Sequence, residues 1–313
     1  MLIGPSPWLA PGRKMMRCGM EVVKLQAVDL ISGFPEVTRR MLVARGVRSE
    51  MVDVAGQRLH HYELKGSGKG PPVLLVHGLG GAANGFARLF FGLAKRFERV
   101  LAVDLPGHGF SPEYCLGPAC VRGQYDMLVE YCRKVVGGPS FVVGNSLGGA
   151  MSVQLAAEHP ELVRALGLVA PAGADVGHER IREVLSSFDV RTAEQSRALT
   201  RRLFHRPPWV MMLFANALRG IYNTPAVRAL SADALATGEY LKPEVLKSLA
   251  MPVLFVWGGS EKLLPHQSLD FFRSHLPGHA RLRVVEGFGH IPHVERPDEL
   301  LSELVQFADA SGL

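Results

Sequence analysis

The chain has 313 residues, 47% apolar and 20% charged, the balance of a folded globular protein rather than a disordered, collagen-like or coiled-coil one. Lys and Arg total 35 against 29 Asp and Glu, a net charge of +6. No run of five like charges occurs, so no nucleic-acid partner is expected.

The N-terminus, MLIGPSPWLAPGRKMMRCGM, carries three prolines, and its charges follow its apolar part. A secretory signal has the opposite order, so a cytoplasmic protein is expected. Met15, Met16 and Met20 offer later starts. Residues 1–48 read as an N-terminal extension, with one or two amphipathic helices over 20–45 built on Val22, Leu25, Val28, Leu30, Ile31, Val37, Met41 and Leu42. Alternating strands are predicted at 50–54 and 57–63, joined by a hairpin turn at Ala55-Gly56.

Pro71-Pro72 opens VLLVHG, a short apolar run of the kind buried on both faces of a sheet. Similar runs recur at Val100–Asp104, Phe141–Gly144, Leu166–Ala170 and Val253–Trp257. Helical patterns at about 84–96, 123–136 and 147–158 separate the first four, which predicts right-handed βαβ units and a mostly parallel, doubly wound α/β sheet. A strand at Leu282–Val285 and an amphipathic helix at Pro297–Phe307 close the chain. Between 176 and 245 only helical, arginine-rich pattern appears, punctuated by Pro207-Pro208. This predicts a core of 49–175 and 246–313 with a helical cap, or lid, inserted between core strands.

No stretch reaches the roughly 18 apolar residues that span a bilayer. Residues 209–218, WVMMLFANAL, come nearest. Apolar almost all round, they suit either packing of lid on core or an acyl-chain pocket lined by Met211, Met212 and Phe214. The N-terminal helix or the lid is the candidate for a peripheral membrane contact. Cys18, Cys115, Cys120 and Cys132 lack metal-type spacing. Cys115 and Cys120 are near enough in sequence to pair, but free thiols are expected in a reducing compartment.

Gly144-Asn145-Ser146-Leu147-Gly148 fits G-x-S-x-G between an apolar strand and a helix, the context of a nucleophile elbow. The competing reading is a serine that only caps its helix. His77-Gly78-Leu79-Gly80-Gly81 follows a strand, and its turn can aim the N–H of Leu79 (or Gly80), with that of Leu147, at an oxyanion. His77 itself reads as a strut for the turn. His290, on a loop past the last strand, is the predicted general base, with His293 as rival. The acid should fall between serine and histidine, past a strand end. Glu261 fits, with Asp175 as competitor, while Asp104 is expected to order the Pro106–Gly109 loop.

These segments resemble the α/β-hydrolase-fold superfamily. The matching motifs are His77-Gly78-Leu79-Gly80, Asp104-Leu105-Pro106-Gly107-His108-Gly109-Phe110-Ser111, Gly144–Gly149, Trp257–Glu261 with Pro265, and Gly289-His290 with Glu295-Arg296-Pro297. They cover about residues 50–310. The resemblance implies Ser146 as nucleophile, His290 as base, and Leu79 and Leu147 as oxyanion donors. Glu261 stands where the family more often has Asp. Ala170-Pro171-Ala172-Gly173 is similar to the monoacylglycerol-lipase-like and bacterial esterase branch. The expected activity is hydrolysis of a small-molecule carboxylic ester with an apolar acyl group, without metal or organic cofactor. Two alternatives stand beside it. One is carbon–carbon bond hydrolysis of ring-cleavage products, whose enzymes share the Gly-Asn-Ser elbow but typically carry an aromatic residue where Ile291-Pro292 stands. The other is a non-catalytic ligand-binding protein of the same fold.

Overall fold

A computed structural model describes residues 34–213, 215–238 and 240–313. The earlier part of the N-terminal extension, with Cys18, and Phe214 lie outside the described residues. Among the described residues, eight strands form one sheet in the order β1-β2-β4-β3-β5-β6-β7-β8. They are β1 Arg48–Val54, β2 Gln57–Lys65, β3 Val73–Val76, β4 Arg99–Val103, β5 Ser140–Asn145, β6 Val163–Val169, β7 Val253–Gly258 and β8 Arg281–Val285. The β1–β2 and β2–β4 pairs are antiparallel, and the sheet is parallel from β4 to β8. The hairpin turn at Ala55-Gly56 has positive φ at both residues (50° and 86°), the twist that matches flanking strands.

Strands β3, β5 and β7 are buried along their whole length. Their side chains alternate between two cores, as the two-residue period of a strand requires. Leu74, Val76, Val142 and Phe255 enter one core; Val73, Leu75, Phe141, Val143, Leu254 and Val256 enter the other. Helices Val121–Tyr131 and Leu147–Glu158 supply the first core, and Phe90–Leu93 and Pro297–Ala310 the second, so both faces are covered. Strand order reverses around β3 and β5, the switch point where doubly wound sheets leave a crevice at their carboxyl ends. Val76 lies opposite Gly144 there, so His77-Gly78 and Asn145-Ser146 emerge side by side.

Between β6 and β7 the chain forms helices His178–Ser186, Ala193–Leu203, Trp209–Leu213, Ala215–Tyr222, Pro225–Thr237 and Pro243–Lys247. Thr192 opens the second with a reciprocal capping box to Gln195, and Thr224 caps the fifth. The insert rests directly on motif glycines of the core. A Cβ at Gly107 would lie 2.4 Å from that of Ala226; one at Gly80, whose φ is +68°, would lie 3.1 Å from the Tyr222 ring and 3.6 Å from Val227.

Several elements differ from the sequence expectation. The helix predicted over 84–96 is a 3-10 turn, Ala83–Phe86, and a short helix, Phe90–Leu93, because the glycine-rich stretch before it must first turn around the crevice. Residues 209–218 are split between two helices, and Trp209 is 75% exposed, so this run is not apolar-buried all round. The helix His266–His275, buried through Leu269 and Phe272, gave too weak a pattern to be read. Cys115, Cys120 and Cys132 are free; Cys120 instead caps helix Val121–Tyr131, its Sγ accepting the Gly123 N–H. Among the described residues, no helix is long and apolar enough to cross a membrane.

Candidate active site

Ser146 joins β5 to helix Leu147–Glu158 with φ 55° and ψ −122°, a conformation that costs a non-glycine residue on the order of 1–3 kcal/mol. Its neighbours must be glycine for the turn to close. A Cβ at Gly144 would lie 2.4 Å from the Gly148 carbonyl oxygen, and one at Gly148 would lie 2.4 Å from those of Val76 and His77. The Ser146 side chain makes no capping hydrogen bond to its helix, which removes the reading of Ser146 as a simple cap. Its side chain instead lies against the other glycine turn, where a Cβ at Gly78 would lie 2.8 Å from Ser146 Cβ and 3.4 Å from Oγ.

The His77 turn is braced from within. His77 Nδ1 donates to the Gly78 carbonyl at 2.8 Å, and its Nε2 accepts the Leu105 N–H at 3.1 Å. Both nitrogens are thus committed, and burial lowers the imidazole pKa, the condition of a neutral strut. Leu147 is the first residue of its helix, so its N–H has no partner within the helix and carries the positive end of the helix dipole.

His290 lies buried on the loop after β8. Its Nδ1 is 2.8 Å from Glu261 Oε2; a carboxylate only accepts, so Nδ1 carries a proton, and in the neutral imidazole the lone pair is on Nε2. The other oxygen, Oε1, accepts the N–H groups of Leu263 at 2.7 Å and Leu264 at 3.0 Å. Burial alone would raise the Glu261 pKa. The His290 imidazole and the two backbone donors outweigh it and hold the carboxyl below its ordinary value. The acid and histidine loops are also tied backbone to backbone, Ser260 N–H to the Phe288 carbonyl at 3.0 Å and Gly259 N–H to that of Val285 at 2.9 Å.

The rival residues have other surroundings. Asp175 is exposed and accepts only the Gly177 N–H, at 3.2 Å, in a surface turn. His293 is buried against Phe86, ring centroids 4.6 Å apart; its Nδ1 has no partner, and burial pushes its pKa down to about 3. Asp104 orders the loop after β4 as expected, accepting the N–H groups of Ala83 at 2.7 Å and Phe110 at 3.1 Å and His60 Nδ1 at 2.7 Å.

A third apolar cluster sits between insert and crevice. Phe188, Leu199, Leu203, Phe204 and Val227 form it together with Leu263, and Leu79, Met211, Tyr222, Leu264 and Ile291 pack against it. Leu79, Leu263 and Ile291 flank the serine-facing turn, the acid and the histidine. Met211 packs against this cluster from the insert. The Met212 carbonyl accepts Arg197 Nε at 3.2 Å, and Phe214 lies outside the described residues.

The sequence profile of the α/β hydrolase fold matches residues 71–297. The chain belongs to the α/β-hydrolase family. It is 30% identical over 277 residues to a dihydrolipoyllysine-residue acetyltransferase component of an acetoin cleaving system from Pseudomonas putida, covering 84% of this chain and 70% of that one. It is 29% identical to a pimeloyl-[acyl-carrier protein] methyl ester esterase from Nitrosomonas europaea, covering 75% and 95%. It is 26% identical to a 2-hydroxymuconate semialdehyde hydrolase of a Pseudomonas strain, covering 89% and 97%. Among solved structures, a bacterial membrane phospholipase A superposes with a TM-score of 0.75 at 25% identity, covering 95% of this chain and 99% of that one.

Within this α/β-hydrolase, sequence reasoning missed Asn145. Its Nδ2 donates to the carbonyls of Val169 at 2.9 Å and His290 at 3.0 Å, tying the elbow to the histidine loop. The only signal was its place inside the G-x-S-x-G motif. Tyr222 and Val227, which rest on Gly80, gave no signal at all.

Proposed function

We propose that the protein is a serine hydrolase that cleaves carboxylic esters with an apolar acyl group through an acyl-enzyme. The observation that carries this reading is Ser146 itself, a buried serine at positive φ whose side chain leaves its helix uncapped and lies against the Gly78 turn. A strained serine is retained where the strain serves a purpose. His290 Nε2 takes the Ser146 proton as Oγ attacks the ester carbonyl, and Glu261 stabilises the imidazolium that forms. The N–H groups of Leu79 and Leu147 receive the oxyanion, each donor contributing about 3 kcal/mol in the transition state. His290 returns its proton to the leaving alcohol, and water then releases the acid.

In this reading residues 176–245 form a lid, and the apolar cluster of Leu79, Met211, Tyr222, Val227, Leu264 and Ile291 receives the acyl chain. Burial pushes the Tyr222 phenol up to about 12 although the residue keeps accessible surface, as a side chain lining a cleft would. The esterase and lipase names among the relatives support ester cleavage. The full-length match to 2-hydroxymuconate semialdehyde hydrolase supports carbon–carbon hydrolysis as the second reading.

The deciding experiment labels the protein with a fluorophosphonate and assays p-nitrophenyl esters of increasing acyl length beside a vinylogous 1,5-diketone. Ser146→Ala should abolish labelling and lower kcat on the order of 10⁶-fold. Ester turnover should rise from acetate with acyl length, then fall. Faster turnover of the diketone would establish the second reading. No labelling of the wild type would refute both.

A further inference from the structure

The segment Leu203–Arg206, between the second and third insert helices, is held by both loops that carry the proposed acid and base. His290 N–H donates to the Leu203 carbonyl at 2.9 Å. Lys262 Nζ reaches the His205 carbonyl at 3.1 Å, and His205 Nδ1 lies 2.7 Å from Ser260 Oγ. Gly289 touches this segment backbone to backbone; a Cβ there would lie 2.6 Å from His205 N and 2.8 Å from Leu203 O.

One side chain closes the junction. Glu295, at the end of the short helix Pro292–Glu295, accepts three backbone N–H groups. Oε2 takes those of His205 at 2.9 Å and Gly289 at 3.3 Å, and Oε1 takes that of Arg206 at 2.7 Å. Two of these donors belong to the insert and one to the residue before His290. Backbone donors to a carboxylate are among the stronger hydrogen bonds available.

We propose that Glu295 is a positioning residue that fixes the His290 loop in register with the helical insert, so that the distance from His290 to Glu261 depends on the insert being seated. The inference rests on His290 acting as the base. Glu295 touches no reacting atom in that scheme. Replacing the carboxylate by an amide leaves one acceptor oxygen for three donors and turns an NH₂ toward a backbone N–H. The Gly289–His290 backbone then loses its anchor and the imidazole shifts away from Glu261. The charged and titratable groups around His290 are Glu261 on the acid loop, and His293 and Glu295 on its own side of the junction, with Lys262 and His205 at the stem; His77 on the β3 turn acts on His293. Glu261 is the carboxylate hydrogen-bonded to the imidazole, so weakening that contact removes stabilisation of the imidazolium; Glu295→Gln also removes a nearby charge that Gly289→Ala keeps, so a change shared by both variants reports the lost contact.

The test compares wild type, Glu295→Gln and Gly289→Ala, the last forcing the same junction apart by its added Cβ. Each is assayed for p-nitrophenyl butyrate hydrolysis and fluorophosphonate labelling rate from pH 5 to 9, with Tm measured alongside. In both variants kcat should fall by about 10- to 100-fold, more than KM changes. The acidic limb of the profile should move to lower pH by about half a unit or more. A uniform fall with the limb unmoved, or wild-type kinetics in a folded variant, would overturn the proposal. If Glu295→Gln proves insoluble, Glu295→Asp, which keeps the charge but shortens its reach to the three N–H donors, decides in its place. Wild type that neither labels nor hydrolyses would instead refute the reading of His290 and Ser146.

Discussion

Changing Glu261 to Gln probes the proposed chemistry most directly, because the local hydrogen bonds dictate how the new amide must sit. Oε1 accepts two backbone N–H groups, from Leu263 and Leu264, while Oε2 faces His290 Nδ1. An amide has one acceptor oxygen. Placing its NH₂ against two N–H donors would leave three donors facing one another in a buried site, so the oxygen takes the Oε1 position. The NH₂ then points at His290 and donates to Nδ1. The imidazole must carry its proton on Nε2, the atom needed to accept the proton of Ser146. The substitution therefore does more than remove a charge. It selects the unproductive tautomer and holds it. Neutralising a triad acid in this way lowers kcat about 10⁴-fold in the serine-protease example, equivalent to about 5 kcal/mol of barrier. A loss of that order is expected here, without a comparable loss of Tm. Glu261→Asp should lie between, its carboxylate too short to serve the backbone donors and the imidazole together. The assay is steady-state hydrolysis of p-nitrophenyl butyrate, with Asp175→Asn as the parallel variant. If Glu261→Gln keeps more than a tenth of wild-type kcat, or Asp175→Asn is the more damaging, the argument fails.

Three further outcomes follow from the geometry. Gly78→Ala should cut kcat at least tenfold with the fold retained, because its Cβ would lie 2.8 Å from Ser146 Cβ and must push the serine or the turn aside; unchanged kinetics would place that turn away from the reacting atoms. His293→Leu should leave kcat within about threefold, since the imidazole is unpartnered and packs on Phe86. Its pKa is pushed down by burial to about 3, so the stability it contributes is present above the ordinary histidine value and is lost as pH falls toward 3. Acid unfolding of His293→Leu, followed by circular dichroism, should accordingly begin at lower pH than that of wild type. Glu63 is buried, which would raise its pKa, but Arg99 and Arg48 bind it and hold it low, so its contribution is present above about pH 4.5 and fades on acidification. Glu63→Gln should cost about 2 kcal/mol at pH 7 by urea unfolding and converge on wild type toward pH 3; equal losses at both would contradict the ion-pair account.

The sheet and the elbow were legible in the sequence because their determinants are local. Five apolar runs too short for helices, rich in Val and Leu and separated by helical patterns, read as buried strands, and G-x-S-x-G between a strand and a helix leaves few conformations open. Glu261 became the candidate because the chain order of the residues and the end of β7 narrowed the choice, and its hydrogen bond to His290 is the contact on which the proposed role rests. What could not be read depends on partners distant in the chain. Asn145 and His290 are joined across 145 residues, and Glu295 reaches Arg206 across 89. Neither side chain looks unusual in its own segment. The insert resisted for a different reason. A mixed run such as Trp209–Leu218 satisfies a buried helix or a surface one, and only packing against Gly80 and Gly107 decides which insert residues face the crevice. That contact belongs to Tyr222, Ala226 and Val227, outside the apolar run that composition singled out.

Asp104 and Glu261 make the underlying logic plain, because chemistry alone would not separate them. Both are buried carboxylates close to the carboxyl end of a parallel strand, and each meets a histidine Nδ1 at 2.7–2.8 Å. What differs is the fate of the imidazole's other nitrogen. His60 Nε2 is occupied by Ser49 Oγ at 2.9 Å on the antiparallel hairpin, so the Asp104–His60 pair has no lone pair to offer a substrate. Asp104 spends its remaining acceptors on Ala83 and Phe110, fixing the loops on either side of the His77 turn. Glu261 spends its second oxygen on its own loop, and the His290 nitrogen opposite that contact stays uncommitted to the backbone. The two similar carboxylate–histidine pairs are therefore placed differently: Asp104 ties its pair into the loops at Ala83 and Phe110, while in the proposed scheme the Glu261 pair holds an imidazole ready to take a proton. Exchanging the aspartate for Asn should accordingly unfold or loosen the Ala83–Phe110 region, seen as lost protection in hydrogen exchange, before it alters the pH dependence of any remaining activity.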